Sequence, residues 1–361
     1  MCKKRHFKGL TDMTTIRVAA LATCVLIVAA ATPAAAAEAG DACAAAQTVS
    51  SSLYGVSVLI QQDGVIICEG YANGGEDGAA YPIYSGTKSF NGMIAAAAVQ
   101  DGLLTLDELV SETLPEWRAD PAKATVTIGQ LLHLTSGLGG PANPAPDYDA
   151  AVAQPFTAPA GTFQYAAAPF QVFGAVMRRK LEAAGRDPDP INYLKTRILD
   201  PIGMNWTGWR RTLAGDAMLD QGAILTAREW AKYGEFVRGG GRVNGNPIVD
   251  PATFALLFQG STANPAYGIT WWLPKANDAP DVVTARLDLR GHEAELPADL
   301  VIAAGAGDQR LFVIPSCQLT IVRQAKLDGQ RIQAARAAGR NIRDGWSDYA
   351  FIKPILDAYC R

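Results

Sequence analysis

Strand-like patterns fall at the two ends of this chain, and helical periodicities occupy its middle. Tyr54 to Cys68 reads as two strands. Val56-Ser57-Val58-Leu59-Ile60 supplies β-branched character, and Gln62-Asp63-Gly64 carries the Asp-Gly signal of a hairpin turn. A Gly-rich loop, Asn73 to Gly78, leads into a helical stretch from about Ser85 to Gln100. Its alanines and apolar residues are spread so evenly that it should be buried nearly all round. Between about Leu103 and Gly260 the chain is helix and loop, with helices expected at Ile128 to Leu134, Phe170 to Ala184 and Ala227 to Arg238. Strand signals return in Gly268 to Leu273, Val282 to Leu289, Leu300 to Ala304, Leu311 to Ile314 and Leu319 to Arg323. Asp348 to Tyr359 reads as a closing helix. The pattern predicts an α+β fold: one antiparallel sheet built from both chain ends, flanking helices, and a mostly helical inserted lobe over approximately 103–260. A cleft is expected where the lobes meet.

The first residues do not belong to that pattern. Lys3, Lys4, Arg5, Lys8 and Arg17 precede an apolar run from Val18 to Ala31, and Pro33 and the small residues Ala34 to Ala37 follow. This is the layout of a secretory signal peptide over 1–36. The apolar core of about 14 residues falls short of the roughly 20 that span a bilayer. An exported domain over 37–361, periplasmic or secreted and without a stable membrane span, is therefore expected. An uncleaved anchor is the alternative. Four cysteines remain in that domain, Cys43, Cys68, Cys317 and Cys360, and an even number in an exported chain suggests disulfides. Of the three possible pairings, the local loops Cys43–Cys68 and Cys317–Cys360 are preferred; four buried thiols are the bland reading. Hydrophobic residues at 49% indicate a substantial core, and a formal charge of −3 gives no basic field for nucleic acid. With no C-x-x-C, no H-E-x-x-H and only His133 and His292 beyond the leader, neither a metal nor a cofactor is expected. Nothing in the sequence sets an oligomeric state.

Ser85-Gly86-Thr87-Lys88 is the sharpest chemical signal. Residues three apart share a helix face, so hydroxyl and amine can meet. A serine needs a base to attack at neutral pH, and a desolvated lysine can serve. At a helix start, backbone N–H donors also lie beside the hydroxyl. S-x-x-K alone is weak, since Ser85 could equally be an N-cap with Lys88 solvated. A lysine inside an otherwise apolar, alanine-rich helix is costly, however, unless it works.

The run Tyr84-Ser85-Gly86-Thr87-Lys88-Ser89-Phe90, followed by Gly102-Leu103-Leu104-Thr105-Leu106-Asp107, resembles the active-site helix and following turn of class C β-lactamases and their esterase relatives. Thr127 to Leu138, Pro159 to Tyr165, Leu225 to Gly234, Tyr267 to Trp272, Ala304 to Gln309 and Val313-Ile314-Pro315 are similar to the family's later segments, in order and at plausible spacing. The resemblance covers nearly the whole domain and implies a β-lactamase/transpeptidase-like fold. It also implies that Ser85 forms an acyl-enzyme, that Lys88 takes its proton, and that Tyr165 is a second general acid or base. The backbone N–H groups of Ser85 and Ala306 would form the oxyanion hole. Gly305 and Gly307 would border the substrate, with Trp271 and Trp272 lining the cleft; for the two tryptophans, core packing is the even alternative.

Two positions depart from the family pattern. Ala167 stands where an asparagine usually follows the tyrosine, and Ala303 stands where the third motif usually begins with lysine or histidine. Both losses argue against efficient β-lactam binding and leave the nucleophile and its bases in place. The expected function is thus acyl-enzyme hydrolysis of small esters or amides, as in the family VIII esterases and nylon-oligomer hydrolases. A β-lactamase, a D-amino-acid peptidase or penicillin-binding protein, and a non-enzymatic penicillin-binding-like sensor or scaffold are the alternatives. No G-x-S-x-G is present, and a Ser136–His133 pair reads better as a buried helix histidine beside a serine.

Overall fold

Two residues set the first hairpin: Asp63 and Gly64 have φ of 48° and 77°, left-handed at both central positions, as a type I′ turn demands. In this computed structural model the described residues are 33–140, 145–275, 287–289, 291–327, 329–339 and 345–360. Most of the expected leader, residues 1–32, lies outside them, and residues 33–36 begin helix α1 (Pro33–Ser52). The hairpin follows as β1 (Gly55–Gln62) and β2 (Val65–Tyr71), then β3 (Ala80–Pro82), a 3₁₀ turn over Tyr84–Lys88, and α2 (Ser89–Gln100). Short helices α3 (Val110–Thr113), α4 (Ile128–Leu132) and α5 (Tyr148–Ala153) lead to α6 (Ala168–Ala183) and α7 (Pro190–Leu194). Next come β4 (Gly208–Trp209), β5 (Ala223–Thr226), α8 (Ala227–Arg238), β6 (Arg242–Val243), β7 (Asn246–Pro247) and α9 (Pro251–Leu256). The chain closes with β8 (Val301–Gly305), β9 (Gln309–Ile314), β10 (Leu319–Ala325), α10 (Gly329–Ala337) and α11 (Asp348–Tyr359).

The main sheet is antiparallel, in the order β2-β1-β10-β9-β8, so the two ends of the chain meet where β1 pairs with β10. Strand alternation then assigns its faces. Thr320 and Leu311 lie against Gly234 of α8, where an added Cβ would come within 2.4 Å and 2.8 Å of their methyl groups. Residues of the other parity, Arg310 and Arg323, turn the opposite way: Arg310 meets Asp348 of α11, and Arg323 meets Ser50 of α1 and Leu53 just after it. Helices therefore cover both faces, α8 on one and α1 with α11 on the other. The disulfides Cys43–Cys68 and Cys317–Cys360 link the second pair of helices to the sheet.

Several expectations need correction. Gly268 to Leu273 is not a strand; Thr270 has φ of 71°, and only Trp272 bridges to Ile302 on β8. In the expected strand Val282 to Leu289, residues 282–286 lie outside the described residues and 287–289 form a turn. The middle of the chain also holds strands the periodicity missed. β3, β5 and β4 form a second sheet, too short for alternation to register. Although α8 falls inside 103–260, it packs on the main sheet.

Arg310 and Asp348 are 1% and 0% exposed, and Arg310 Nε donates to the carboxylate at 2.6 Å. A buried pair of this kind is costly to break from one side. Arg310→Met is expected to lower unfolding free energy by about 3 kcal/mol or more. Urea denaturation measures this, and adding Asp348→Leu should return most of the loss.

Candidate active site

A strained residue opens the site. Tyr84 has φ of 48°, and the chain then tightens into the 3₁₀ turn before α2 begins at Ser89. Residues three apart eclipse one another in a 3₁₀ helix, which brings Lys88 Nζ to 3.0 Å from Ser85 Oγ. The sequence placed both residues on the α-helix itself; the tighter turn is what aligns them. Ser85 is half-buried, whereas Lys88 is 2% exposed, so the solvated-lysine alternative does not hold. Besides Ser85, Nζ donates to the Asp220 carbonyl at 3.0 Å and lies over the Tyr165 and Phe170 rings, 4.8 Å and 5.4 Å from their centroids.

The segment that receives Lys88 has no motif in the sequence, yet it is held at three points. Asn91 Nδ2 donates to the carbonyls of Lys88 and Leu219 at 3.1 Å and 2.8 Å. Gln171 Oε1 accepts from Leu219 N at 2.9 Å, and Thr87 Oγ1 accepts from Ala223 N at 3.1 Å. Each clamp reads as a polar residue in a buried helix, so nothing but tertiary contact could reveal it. Asp220 itself is 1% exposed, and burial pushes its carboxyl above the usual range, with the Lys88 charge opposing.

The third edge of the site is the end of β8. A Cβ on Gly305 would fall 2.0 Å from the Ile83 carbonyl oxygen and 3.1 Å from Gly86 N, so only glycine lets this strand close on the serine turn. Two buried arginines hold the following loop from behind. Arg310 Nη1 donates to the carbonyls of Gly305 and Gln309 at 3.3 Å and 3.0 Å, and Arg323 Nη1 to those of Gly307 and Asp308 at 3.1 Å and 2.7 Å. Gly307 and Asp308 turn with φ of 75° and 61°, which leaves Ala306 exposed at the tip beside the serine turn.

Of the aromatic candidates, Trp272 lies near Tyr165, at 5.6 Å between centroids. Trp271 is fully buried against Tyr233 and Phe258, so it belongs to the core and offers a substrate no surface. Ala167 and Ala303 are also buried, and neither brings a polar group. Ser136 is fully buried with Oγ accepting from Leu138 N, and burial lowers the His133 pKa. Among the described residues no cluster of three metal-ligating side chains occurs, and no helix is long and apolar enough to cross a membrane.

These features place the chain among serine hydrolases of the β-lactamase fold. The Beta-lactamase family model matches residues 36–338, and the chain belongs to that family. Among solved structures it is similar to EstCE1, a hydrolase with promiscuous acyltransferase activity (TM-score 0.63, 18% identity, 90% of this chain and 99% of that one). It is also similar to a protein described as a 6-aminohexanoate-dimer hydrolase from Bacillus anthracis (0.61, 16%, 81% and 79%). A D-stereospecific amidohydrolase from Streptomyces sp. aligns with TM-score 0.58 at 16% identity, over 82% and 99% of the two chains. Identities this low show the shared fold alone. No curated protein sequence matches.

Gly305→Ala tests the closure of β8 on the serine turn. It should lower kcat/KM for an ester by about 10²-fold, the scale reached when a reacting group is misplaced by about 1 Å. Circular dichroism should stay near that of the parent chain.

Proposed function

We propose that this protein is an exported serine hydrolase that cleaves small neutral esters or short amides through an acyl-enzyme on Ser85. The observation that carries the reading is the 3.0 Å contact between Lys88 Nζ and Ser85 Oγ, made by a lysine almost wholly removed from water. As Ser85 Oγ attacks the acyl carbon, its proton passes to Lys88, and the carbonyl π electrons move onto oxygen. The N–H groups of Ser85 and Ala306 would stabilise that oxyanion, and the arginine-held loop supports the role by fixing the second donor in advance. Collapse of the tetrahedral intermediate breaks the bond to the alkoxide or amine. Tyr165, beside Lys88, is assigned the proton delivered to that leaving group. Water, deprotonated by the same bases, then releases the acid and restores Ser85. Gly305 and Gly307 would border the acyl group, with Trp272 packed behind Tyr165. Export is supported by the leader-like N-terminus and by two disulfides, which persist in oxidising compartments.

Substrate preference follows from what the site lacks. A β-lactam brings a carboxylate and an amide that need partners, and positions 303 and 167 offer only buried methyl groups. Leaving such groups unpaired costs several kcal/mol. A neutral short-chain ester asks for neither. The expected ratio of kcat/KM for p-nitrophenyl butyrate over nitrocefin is about 10²-fold or more, roughly 3 kcal/mol at about 1.4 per decade. Equal rates on the two substrates would overturn the ester preference.

Nucleophile and base are tested separately. Ser85→Ala should abolish turnover and fluorophosphonate labelling, and a label retained on another serine would refute the assignment. Lys88→Ala and Tyr165→Phe should each lower kcat by about 10²-fold or more. Because the two act as a unit, the double variant should be scarcely worse than the worse single one.

A further inference from the structure

The acylation scheme leaves the buried carboxyl of Asp220 without a task. Asp220 is 1% exposed, and among the described residues neither of its carboxylate oxygens has a hydrogen-bond partner. Its backbone carbonyl is the one that accepts from Lys88 Nζ. The carboxyl therefore stands a few bonds from the amine that receives the serine proton. A carboxyl buried without donors is expensive unless a charge compensates it, and evenly packed apolar surroundings would not select one.

The charged groups around it are few. Lys88 faces it from the serine turn, and Arg210 faces it from the end of β4. Arg210 leans on the Tyr84 ring, 5.3 Å from its centroid, and donates to the Gln221 carbonyl. Tyr165 reaches the same amine from the loop before α6. Asp220 thus brings a buried carboxyl to the same residue whose backbone carbonyl holds the Lys88 amine.

We propose that Asp220 is the positioning residue of a Ser85–Lys88–Asp220 relay, its carboxylate stabilising the ammonium that forms when Lys88 takes the serine proton. This rests on the hydrolase reading above. The logic parallels the acidic member of a Ser-His-Asp triad, which does not itself take the proton but favours the cation that does. No proton moves to Asp220; the Ser85 O–H bond breaks and an N–H bond forms on Lys88, whose charge opposes the rise that burial imposes on the Asp220 carboxyl. Replacing the carboxylate by an amide withdraws that stabilisation. Removing it makes the ammonium easier to deprotonate and the amine a weaker base. Both effects have a definite sign.

The experiment compares the wild type with Asp220→Asn, Asp220→Glu and Asp220→Ala. It records the pH dependence of fluorophosphonate labelling and of kcat/KM for p-nitrophenyl butyrate, together with thermal melting. For Asp220→Asn the acid limb of both profiles should move down by about one pH unit, and the plateau should fall about tenfold. KM should change little. Asp220→Glu, keeping the charge, should lie between the wild type and Asn. Thermal melting separates a shift of the profile from a loss of stability. Should Asn fold poorly, Ala must show the same shift of the acid limb. An unmoved profile in the variant that folds, whatever happens to its stability, overturns the relay. A wild type that takes no label at all refutes the hydrolase reading itself, a result separable from failure of Asp220 alone.

Discussion

The site is organised by where one lysine amine is allowed to be. Lys88 is removed from water, and its Nζ has two hydrogen-bond partners, the Ser85 hydroxyl and the Asp220 carbonyl. Burying an amine this way is tolerable only if its hydrogen bonds are met, so each partner must be held in register. The 3₁₀ turn fixes the first. Asn91, Gln171 and Thr87 fix the second, by clamping residues 219 to 223 to α2, α6 and the serine turn. The position of one amine thus couples three elements that lie far apart in sequence.

The main sheet meets the same requirement from the other side. β8 reaches the serine turn only because position 305 has no Cβ, and its following loop keeps its shape because two arginines occupy its carbonyls. Arg310 and Arg323 point to the α1/α11 face, away from the serine turn, since strand alternation permits nothing else. The buried ion pair that anchors α11 and the preorganisation of the exposed loop are consequently one construction. A packing residue on the far face of the sheet acts on the chemistry through the backbone of the near one.

Much of this was legible in the sequence where the signal was local. The Asp63-Gly64 hairpin, α8 at Ala227–Arg238 and the closing helix Asp348–Tyr359 follow directly from turn chemistry and periodicity. The contact of Ser85 with Lys88 was legible because a lysine in an apolar alanine-rich run conflicts with its surroundings unless a partner meets it. The four cysteines pair in the two local loops. What stayed hidden was non-local. β3, β4 and β5 have two to four residues each and find their strand character only in one another. Gly268 to Leu273 carries strand-like residues but bends at Thr270, and both of its tryptophans are buried, Trp271 against Tyr233 and Trp272 beside Tyr165. Asp220 had no motif at all, since a carboxylate in a loop looks solvated until the fold covers it.

Charge is the remaining constraint on what the site can do. The family pattern usually places a second cation or imidazole near the nucleophile, and here that position is the buried methyl of Ala303. With no cation at 303, Lys88 carries the basic role among the residues that contact Ser85, and a carboxylate beside it becomes an asset. In a site with two cations, an added Asp220 would neutralise the field that attracts a substrate carboxylate. Under the proposed function there is no such substrate group to attract, and the proposed role of the carboxylate toward the ammonium is left free. On the proposed reading, the loss at 303 and the buried acid at 220 are two sides of one arrangement, which would suit neutral acyl groups better than anionic ones.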